Sequence, residues 1–310
     1  MKYFLDTEFH EYQKQPKLLG LKIDKPIDTI ELISVGIVSE DSTIKISHPS
    51  NIMNIGLAGN KLFGDTNDSK NWNTWENKLP SGNHSIKSKS TNEVVLNSSK
   101  EYYAICKDFD LKAAWKNEWL RKNVLKPIMQ DLCYKHTNAV EEWFSGKFNF
   151  DEFKKLINKY GKTRKQIAEE IIEFVYIDHL RENWDYPNNA IITKQAIDQN
   201  TVNNPIEFYA YYADYDWVVF CQLWPALYPI QPESFETGMS YMNPKGFPYY
   251  CKDLKQILDK KASQQTIFGT FEVGLEKLTT DTRYPKQSNE HNALADAKWN
   301  KELYKFLNKI

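Results

Sequence analysis

The apolar positions near the start of the chain predict two buried strands. Residues 2–9 form a short β-rich segment, and residues 30–38 are strongly apolar with little alternation between apolar and polar side chains. A strand that is covered on both faces of a sheet has this nearly continuous apolar character. We therefore predict that the two segments are adjacent central strands of one sheet.

The rest of the chain predicts two further strands and five helices. We expect the strands at residues 101–105 and 206–212. We expect one helix to begin near Thr163 and the others to lie at residues 111–129, 217–223, 253–260 and 291–307. Early strands with helices interleaved afterwards indicate a single α/β domain over residues 1–310, with a central mixed sheet flanked by helices.

Two polar stretches interrupt this pattern. Residues 47–99 are rich in Asn, Ser, Lys and Gly with isolated aromatic side chains, and the stretch is too long for an ordinary loop in a compact domain. Residues 261–285 are weakly patterned as well. We interpret both stretches as insertions into the domain, the first with a hairpin of its own.

The composition is that of a folded globular chain without a strong electrostatic field. Of the 310 residues, 41% are hydrophobic and 26% are charged, which excludes disordered, collagen-like and disulfide-stapled classes. Lys and Arg number 40 against 41 Asp and Glu, so the net charge is −1. Since the whole molecule has no basic field, any polyanion that it binds must be held locally.

The cysteines and the apolar stretches indicate in which cellular compartment the protein is located. No two cysteines form a CxxC pair; they are scattered at Cys106, Cys133, Cys221 and Cys251. This scatter is typical of reduced thiols in a cytoplasmic protein. Residues 2–6 contain no apolar signal core, and stretches such as 171–177 are too short to span a bilayer. We expect a cytoplasmic location and no membrane partner.

The first strand carries a pair of acids. Asp6 and Glu8 are two residues apart, and the period of two along a strand places both side chains on the same face of the sheet. Two like charges in this arrangement repel each other, and burying them is costly unless a cation lies between them. Hard oxygen ligands of this kind suit Mg²⁺ or Mn²⁺ better than zinc.

Two later segments supply further candidates. Asp214 and Asp216 both follow the strand predicted at residues 206–212, and ligands of α/β sheets gather at strand ends. His291 precedes Asp296 by five residues at the start of the last predicted helix. Small residues would let this helix pack close to the sheet while Asp296 faces the metal; they are Ala293, Ala295 and Ala297.

Taken together and in this chain order, the three motifs resemble those of the DEDDh, or DnaQ-like, superfamily of 3'-5' exonucleases. The resemblance is greatest to a bacterial, RNase T-like exoribonuclease subgroup. It is carried by residues 3–9, 30–36, 215–216, 221–224 and 291–297. The resemblance implies an RNase H-like fold and the hydrolytic removal of nucleotides from RNA 3' ends, with two Mg²⁺ or Mn²⁺ ions per site. It also implies a homodimer.

The resemblance assigns roles residue by residue. The metal-binding carboxylates are Asp6, Glu8, Asp216 and Asp296, and the general base is His291. Asp216 is preferred over Asp214 because the second motif of the family ends in an aromatic residue followed by Asp, as Tyr215 and Asp216 do. The chain departs from the family at Tyr212, since many members have Asn four residues before that Asp.

These residue types suit a two-metal mechanism. Two ions about 4 Å apart would lower the pKa of a bound water, align it with the terminal phosphodiester and stabilise the leaving oxygen. Histidine accepts a proton near neutral pH, which suits His291 to the role of base. Phe9 and Trp217 are adjacent to two of the acids, and two roles stay open for each: stacking on the terminal bases or packing in the core.

Three alternatives remain open from the sequence. One is a 3'-5' DNA exonuclease of the same superfamily, since a single sequence does not reveal a contact to the ribose 2'-OH. Another is a catalytically silent nucleic-acid-binding module, although such a module gains nothing from four acids that face a phosphate. The third, a nucleotide-binding enzyme, lacks support because residues 56–64 contain glycine without the Gly-Lys-Ser/Thr ending of a phosphate-binding loop.

Overall fold

The computed structural model describes eight parts of the chain, residues 1–18, 21–22, 24–46, 94–137, 148–183, 205–224, 247–265 and 271–310. The strands in these parts are β1 (Lys2–Lys14), β2 (Lys17–Leu18), β3 (Leu21–Lys22), β4 (Ile27–Ser39), β5 (Ser42–Ile46), β6 (Val94–Ser98), β7 (Glu101–Ile105), β8 (Glu207–Ala210) and β9 (Lys252–Asp253). The helices are α1 (Leu111–Lys116), α2 (Glu118–Leu120), α3 (Lys126–Thr137), α4 (Phe150–Tyr160), α5 (Arg164–Asn183), α6 (Ala213–Cys221), α7 (Leu254–Gln264), α8 (Phe271–Thr279) and α9 (Ala293–Leu307). A π-helical turn, Arg121–Leu125, joins α2 to α3.

The central sheet has five strands in the order β7-β4-β1-β8-β9. The pairs β1–β4 and β4–β7 are antiparallel, whereas β1–β8 and β8–β9 are parallel. The prediction of a mixed sheet flanked by helices is therefore confirmed, and so is the prediction that the first two long strands are neighbours. β1 continues to Lys14, five residues beyond its predicted end.

Helices cover both faces of the sheet because the side chains of β1 alternate between two apolar clusters. Tyr3 and Leu5 pack with residues of α5 and α6, including Ile171 and Phe220. Phe4 points to the opposite face and packs with α7 and α9. A third cluster joins Ile33 of β4 and Ile105 of β7 to the helical segment from α1 to α4. Every strand near the site is thus fixed from both sides by buried apolar side chains.

Helix α9 lies in direct contact with the backbone of β4. A Cβ atom added to Gly36 would lie 2.2 Å from the carbonyl oxygen of Ala293, so only glycine allows this approach. The Asn300 side-chain amide donates a hydrogen bond of 2.9 Å to the carbonyl of Leu5 on the neighbouring strand. Gly36 is also the cross-strand partner of Asp6. The contact therefore brings the first turn of α9 next to that acid.

The two predicted insertions differ in what the structure describes. Residues 47–93 lie outside the described residues, but β5 and β6 at their two ends pair as an antiparallel two-stranded sheet. Within residues 261–285 the structure has a helix, α8, where the sequence predicts no element. This helix packs on α7, since a Cβ on Gly274 would lie 2.1 Å from the carbonyl oxygen of Ala262. Its apolar side is short and consists of Leu275 and Leu278, which explains the weak pattern.

The helices differ from the prediction mainly in three places. The helix predicted at residues 111–129 is divided, because Asn117 ends α1 and caps α2 by accepting a hydrogen bond from the Leu120 amide. Helix α6 begins at Ala213, four residues before its predicted start. Helix α4 was not predicted. The earlier start of α6 matters for the site, because it places Asp216 inside a helix and not in a loop.

All four cysteines are free thiols, as their scatter along the sequence predicts. Among the described helices, none combines the length and the apolar character that a membrane crossing requires.

The contact at Gly36 gives a stability prediction. Gly36→Ala places a methyl group against the Ala293 backbone and should lower the free energy of unfolding by about 1–3 kcal/mol, as overpacking does. Urea unfolding measures the change. Asp28→Ala, at the exposed end of the same strand, is the control and should change stability by less than about 0.5 kcal/mol. Equal stability of Gly36→Ala and the wild type would show that α9 does not depend on this approach.

Candidate active site

A cavity of about 430 Å³ lies where β1, α6 and α9 meet. It forms past the end of β8, since β8 pairs with β1 only as far as Phe4. All five residues predicted to act in metal binding and catalysis line this cavity; they are Asp6, Glu8, Asp216, His291 and Asp296. The structure therefore brings together three motifs that are separated by up to 290 residues of chain.

Three of the acids form a group that could hold a metal ion. Asp6 and Glu8 lie on the same face of β1, and Asp296 approaches that face from the first turn of α9. One carboxylate oxygen from each of the three lies within 4.8 Å of the other two. Next to Glu8 the register of β1 against β4 shifts, and bulges of this kind commonly re-aim side chains beside active sites.

The fourth acid, Asp216, approaches from the other layer of helices. Its Oδ1 accepts hydrogen bonds from the backbone N–H of Thr7 at 2.8 Å and from the Thr7 hydroxyl at 2.6 Å. Asp216 thus accepts a hydrogen bond from a backbone amide of β1 that lies past the end of the pairing between β1 and β8. Its Oδ2 has no hydrogen bond among the described residues, so this oxygen remains available to a cation.

The structure separates the two candidates for the third acid. Asp216 is buried and lines the cavity, whereas Asp214 is exposed and does not. Both lie in the first turn of α6, where two residues correspond to a rotation of about 200° around the helix axis. Their side chains therefore point in opposite directions. Two residues at the same spacing on a strand would instead point to the same side.

Burial and mutual repulsion raise the pKa values of the acids. Burial and then the charges of the other three acids raise the pKa of Asp6 well above its usual range. Burial, the largest cause, together with the charges of Asp296 and Asp216 raises the pKa of Glu8 to about 8. Burial raises the pKa of Asp216 to about 6, although the Thr7 hydrogen bonds oppose the shift. Without a cation the site therefore takes up protons near neutral pH.

Both oxygens of Asp296 are oriented by hydrogen bonds. The Gln287 side-chain amide donates to Oδ1 at 2.7 Å, and the backbone N–H of His291 donates to Oδ2 at 2.9 Å. These bonds lower the pKa of Asp296 but do not cancel the upward shift that burial causes. Because each carboxylate oxygen has a second lone pair, Asp296 remains a possible metal ligand.

His291 lines the cavity with its backbone in the left-handed region, at φ 64°. Its ring meets the indole of Trp119 edge-on, with 4.8 Å between the ring centroids. The next residue, Asn292, caps α9 by accepting a hydrogen bond from the Ala295 amide. The histidine is therefore held between a helix cap and an aromatic side chain.

The two predicted base-stacking residues have different positions. Phe9 lines the cavity and stacks on Tyr215 with 5.8 Å between the ring centroids. Trp217 is not among the lining residues; it packs against Phe208 and Phe220 at the edge of a core cluster. Helix geometry explains this difference, since Trp217 follows Asp216 by about 100° of rotation around α6.

Sequence reasoning missed several residues of the site, among them Thr7, Gln287 and Trp119. Thr7 lies between the two acids of β1, and its role was detectable only once Asp216 was known to approach that strand. Gln287 precedes the histidine motif by four residues, and Trp119 is far from every motif in the chain. No local pattern distinguishes either residue from an ordinary surface side chain.

Comparisons with models of protein families, with curated proteins and with solved structures found no match to this chain. The functional assignment therefore depends on the geometry of the site.

The repulsion between the acids predicts how stability depends on pH and metal. A carboxyl group whose pKa is raised on folding stabilises the protein at low pH, and this stability is lost as the pH rises towards the folded-state pKa. The metal-free wild type should therefore lose thermal stability between about pH 5 and pH 8, since the pKa of Glu8 is about 8. Mg²⁺ or Mn²⁺ should restore it at pH 8.

Asp6→Asn tests this expectation by removing one of the repelling charges. At pH 8 the metal-free variant should be more stable than the wild type by about 1 kcal/mol or more, with a smaller gain at pH 5. Its melting temperature should respond less to Mg²⁺. Asp214→Asn removes the same charge at an exposed position and should change neither quantity. A wild-type response to Mg²⁺ in Asp6→Asn would exclude Asp6 as a ligand.

Proposed function

We propose that this chain is a metal-dependent 3'-5' exonuclease of the DEDDh type that removes nucleotides from RNA ends. One observation carries the proposal: oxygens of Asp6, Glu8 and Asp296 converge within 4.8 Å, with Asp216 and His291 on the same cavity. Four acids and a histidine in this order along the chain are the residues that the resemblance requires. Asp6 and Glu8 lie on the predicted first strand and Asp296 in the predicted last helix, whereas Asp216 lies in α6 and not at the strand end that its motif predicts.

The topology of the sheet supports an RNase H-like fold. Numbered by their order in the chain, the five strands are arranged third, second, first, fourth and fifth. The first three form an antiparallel meander, and the last two run parallel to the first. The acids lie on the first strand and on the two helices that reach its end, one from each face of the sheet. This arrangement agrees with the architecture that the resemblance implies.

The donor set fits Mg²⁺ or Mn²⁺. All three converging ligand atoms are carboxylate oxygens, and no sulfur or imidazole nitrogen belongs to the group found among the described residues. Asp216 supplies a further oxygen to the same cavity. Hard divalent ions prefer such ligands, and a pair of them bound here would activate water and stabilise charge on the departing oxygen. Binding would also relieve the repulsion that raises the pKa of the acids.

The remaining residues have roles that follow from their contacts. His291 lines the cavity, where the unprotonated nitrogen of its ring can accept the proton that the attacking water loses. Gln287 fixes the carboxylate plane of Asp296, and Thr7 fixes that of Asp216. Phe9 and Tyr215 offer a stacked aromatic wall to a terminal base. The cavity has the volume of a small-ligand pocket, which suits the end of a strand.

A DNA substrate is the alternative within the same chemistry, and the resemblance alone favours RNA.

A reducing, cytoplasmic location is part of the proposal, supported by the four free thiols. A binding module without catalysis is disfavoured, since four buried acids on one cavity would repel a phosphate unless cations were bound.

The main test is digestion of matched single-stranded RNA and DNA oligonucleotides labelled at the 5' end. The wild type should shorten RNA stepwise from the 3' end with Mg²⁺ or Mn²⁺ and not with EDTA. Asp216→Asn should lower kcat by more than about 100-fold, while Asp214→Asn, in the same helical turn, should keep it. Identical products with and without metal would contradict the proposal, and faster shortening of DNA would select the alternative.

A second test concerns the base. His291→Ala should lower kcat by about 100-fold or more, the usual contribution of a general base. Its Mg²⁺-induced rise in melting temperature should equal that of the wild type, because the four acids are unchanged. Cleavage at the wild-type rate would assign the base to another group.

A further inference from the structure

The backbone of His291 is held in a conformation that a non-glycine residue rarely adopts. Its φ is 64°, and Asn289 two residues earlier has φ 58°. Strained residues of this kind persist only where their surroundings hold them, and they concentrate at functional sites. The N–H bond to Asp296 fixes the backbone of His291 but not its ring. Other contacts must therefore determine where the ring lies.

Two such contacts come from one helical segment, residues 111–137. The Trp119 ring meets the His291 ring at 4.8 Å with an interplanar angle of 73°. Asp131 Oδ2 accepts a hydrogen bond of 2.9 Å from the side-chain amide of Asn292, which is buried. The segment thus contacts the histidine loop at two consecutive residues, once at the ring and once at the helix cap.

The backbone that carries Trp119 is itself fixed. Asn117 caps α2 on one side, and on the other side the Asn123 side chain donates a hydrogen bond of 3.0 Å to the Trp119 carbonyl. Asn123 lies in the π-helical turn, and single π turns occur frequently at functional sites. Trp119 is nevertheless 53% exposed, so its ring is not part of the buried core. Its position is explained by the cavity and by His291.

We propose that Trp119 and Asp131 are positioning residues that hold the His291 ring in its productive orientation for the cleavage reaction. The inference rests on the proposed function of the site. Trp119 limits the ring from one side by its edge-on contact, and Asp131 anchors the cap residue that follows the histidine. A different role for Trp119, direct stacking on a substrate base, makes the opposite prediction in the experiment below.

A double-mutant cycle with His291→Ala separates the two roles. Trp119→Ala should lower kcat on single-stranded RNA by about 10- to 100-fold and change KM by less than about twofold, because only the reacting geometry is lost. In the His291→Ala background the same substitution should cost nothing further. An equal loss in both backgrounds, or a rise in KM alone, would overturn positioning in favour of base stacking.

Conservative variants supply the second readout. Trp119→Phe keeps an aromatic ring and should retain most of the rate. Asp131→Ala should lower kcat, whereas Asp131→Asn keeps an oxygen that accepts the Asn292 hydrogen bond and should restore it. Tyr250→Ala removes an aromatic side chain of similar exposure outside the cavity and should leave kcat unchanged. Equal rates for Asp131→Ala and Asp131→Asn would overturn the anchoring role.

A measurement independent of catalysis completes the test. In NMR spectra of the full chain labelled at histidine, the His291 ring signal is the one absent from His291→Ala. Trp119→Ala should move this signal because the indole ring current is lost, and Tyr250→Ala should not. An unmoved signal would overturn the positioning role even if the wild type cleaves RNA. A moved signal with no cleavage by the wild type would instead contradict the proposed function and leave the contact established.

Discussion

The site depends on the close approach of α9 to the bare backbone of Gly36. This approach is possible because the sheet has no side chain at that position and because Ala293 and Ala297 on the facing side of the helix are small and fully buried. Gly36 is paired with Asp6, so the helix can only dock where its own Asp296 meets the acid of the strand. Packing energy therefore holds together carboxylates whose charges drive them apart.

The charges and the strained backbone of the site are unfavourable to folding, and the apolar cores around the site offset this free-energy cost. Burial and like charge raise the pKa values of all four acids, and His291 and Tyr212 both have left-handed backbone conformations. Each of these features opposes folding, whereas the apolar clusters on both faces of the sheet favour it. The near balance of 40 basic and 41 acidic residues hides this local excess of negative charge, which bound divalent ions would reverse.

Much of the site could be predicted from the sequence wherever a local period determines geometry. The alternation along a strand places Asp6 and Glu8 on one face in any fold, and the small residues of the last helix indicate close packing. The position of Asp216 was less accessible. Its side chain points inwards because α6 begins at Ala213, and helix starts are poorly marked when polar and apolar residues are mixed. Because the start of α6 is poorly marked, the sequence also leaves Trp217 as a candidate for the cavity, although it packs on the core.

The mixed α/β class and the neighbouring central strands could be predicted from the sequence alone, because both follow from the periods of apolar positions. The motif resemblance singled out four acids and a histidine, and the structure brings these five residues to one cavity. It took the tertiary structure to show which acid of α6 enters the cavity, that Thr7, Gln287 and Trp119 line it, and that Asp131 binds the helix cap Asn292. The contacts between Thr7 and Asp216 and between Trp119 and His291 join residues more than 150 positions apart in the chain. Such contacts are set by how helices dock on the sheet, which no local pattern encodes.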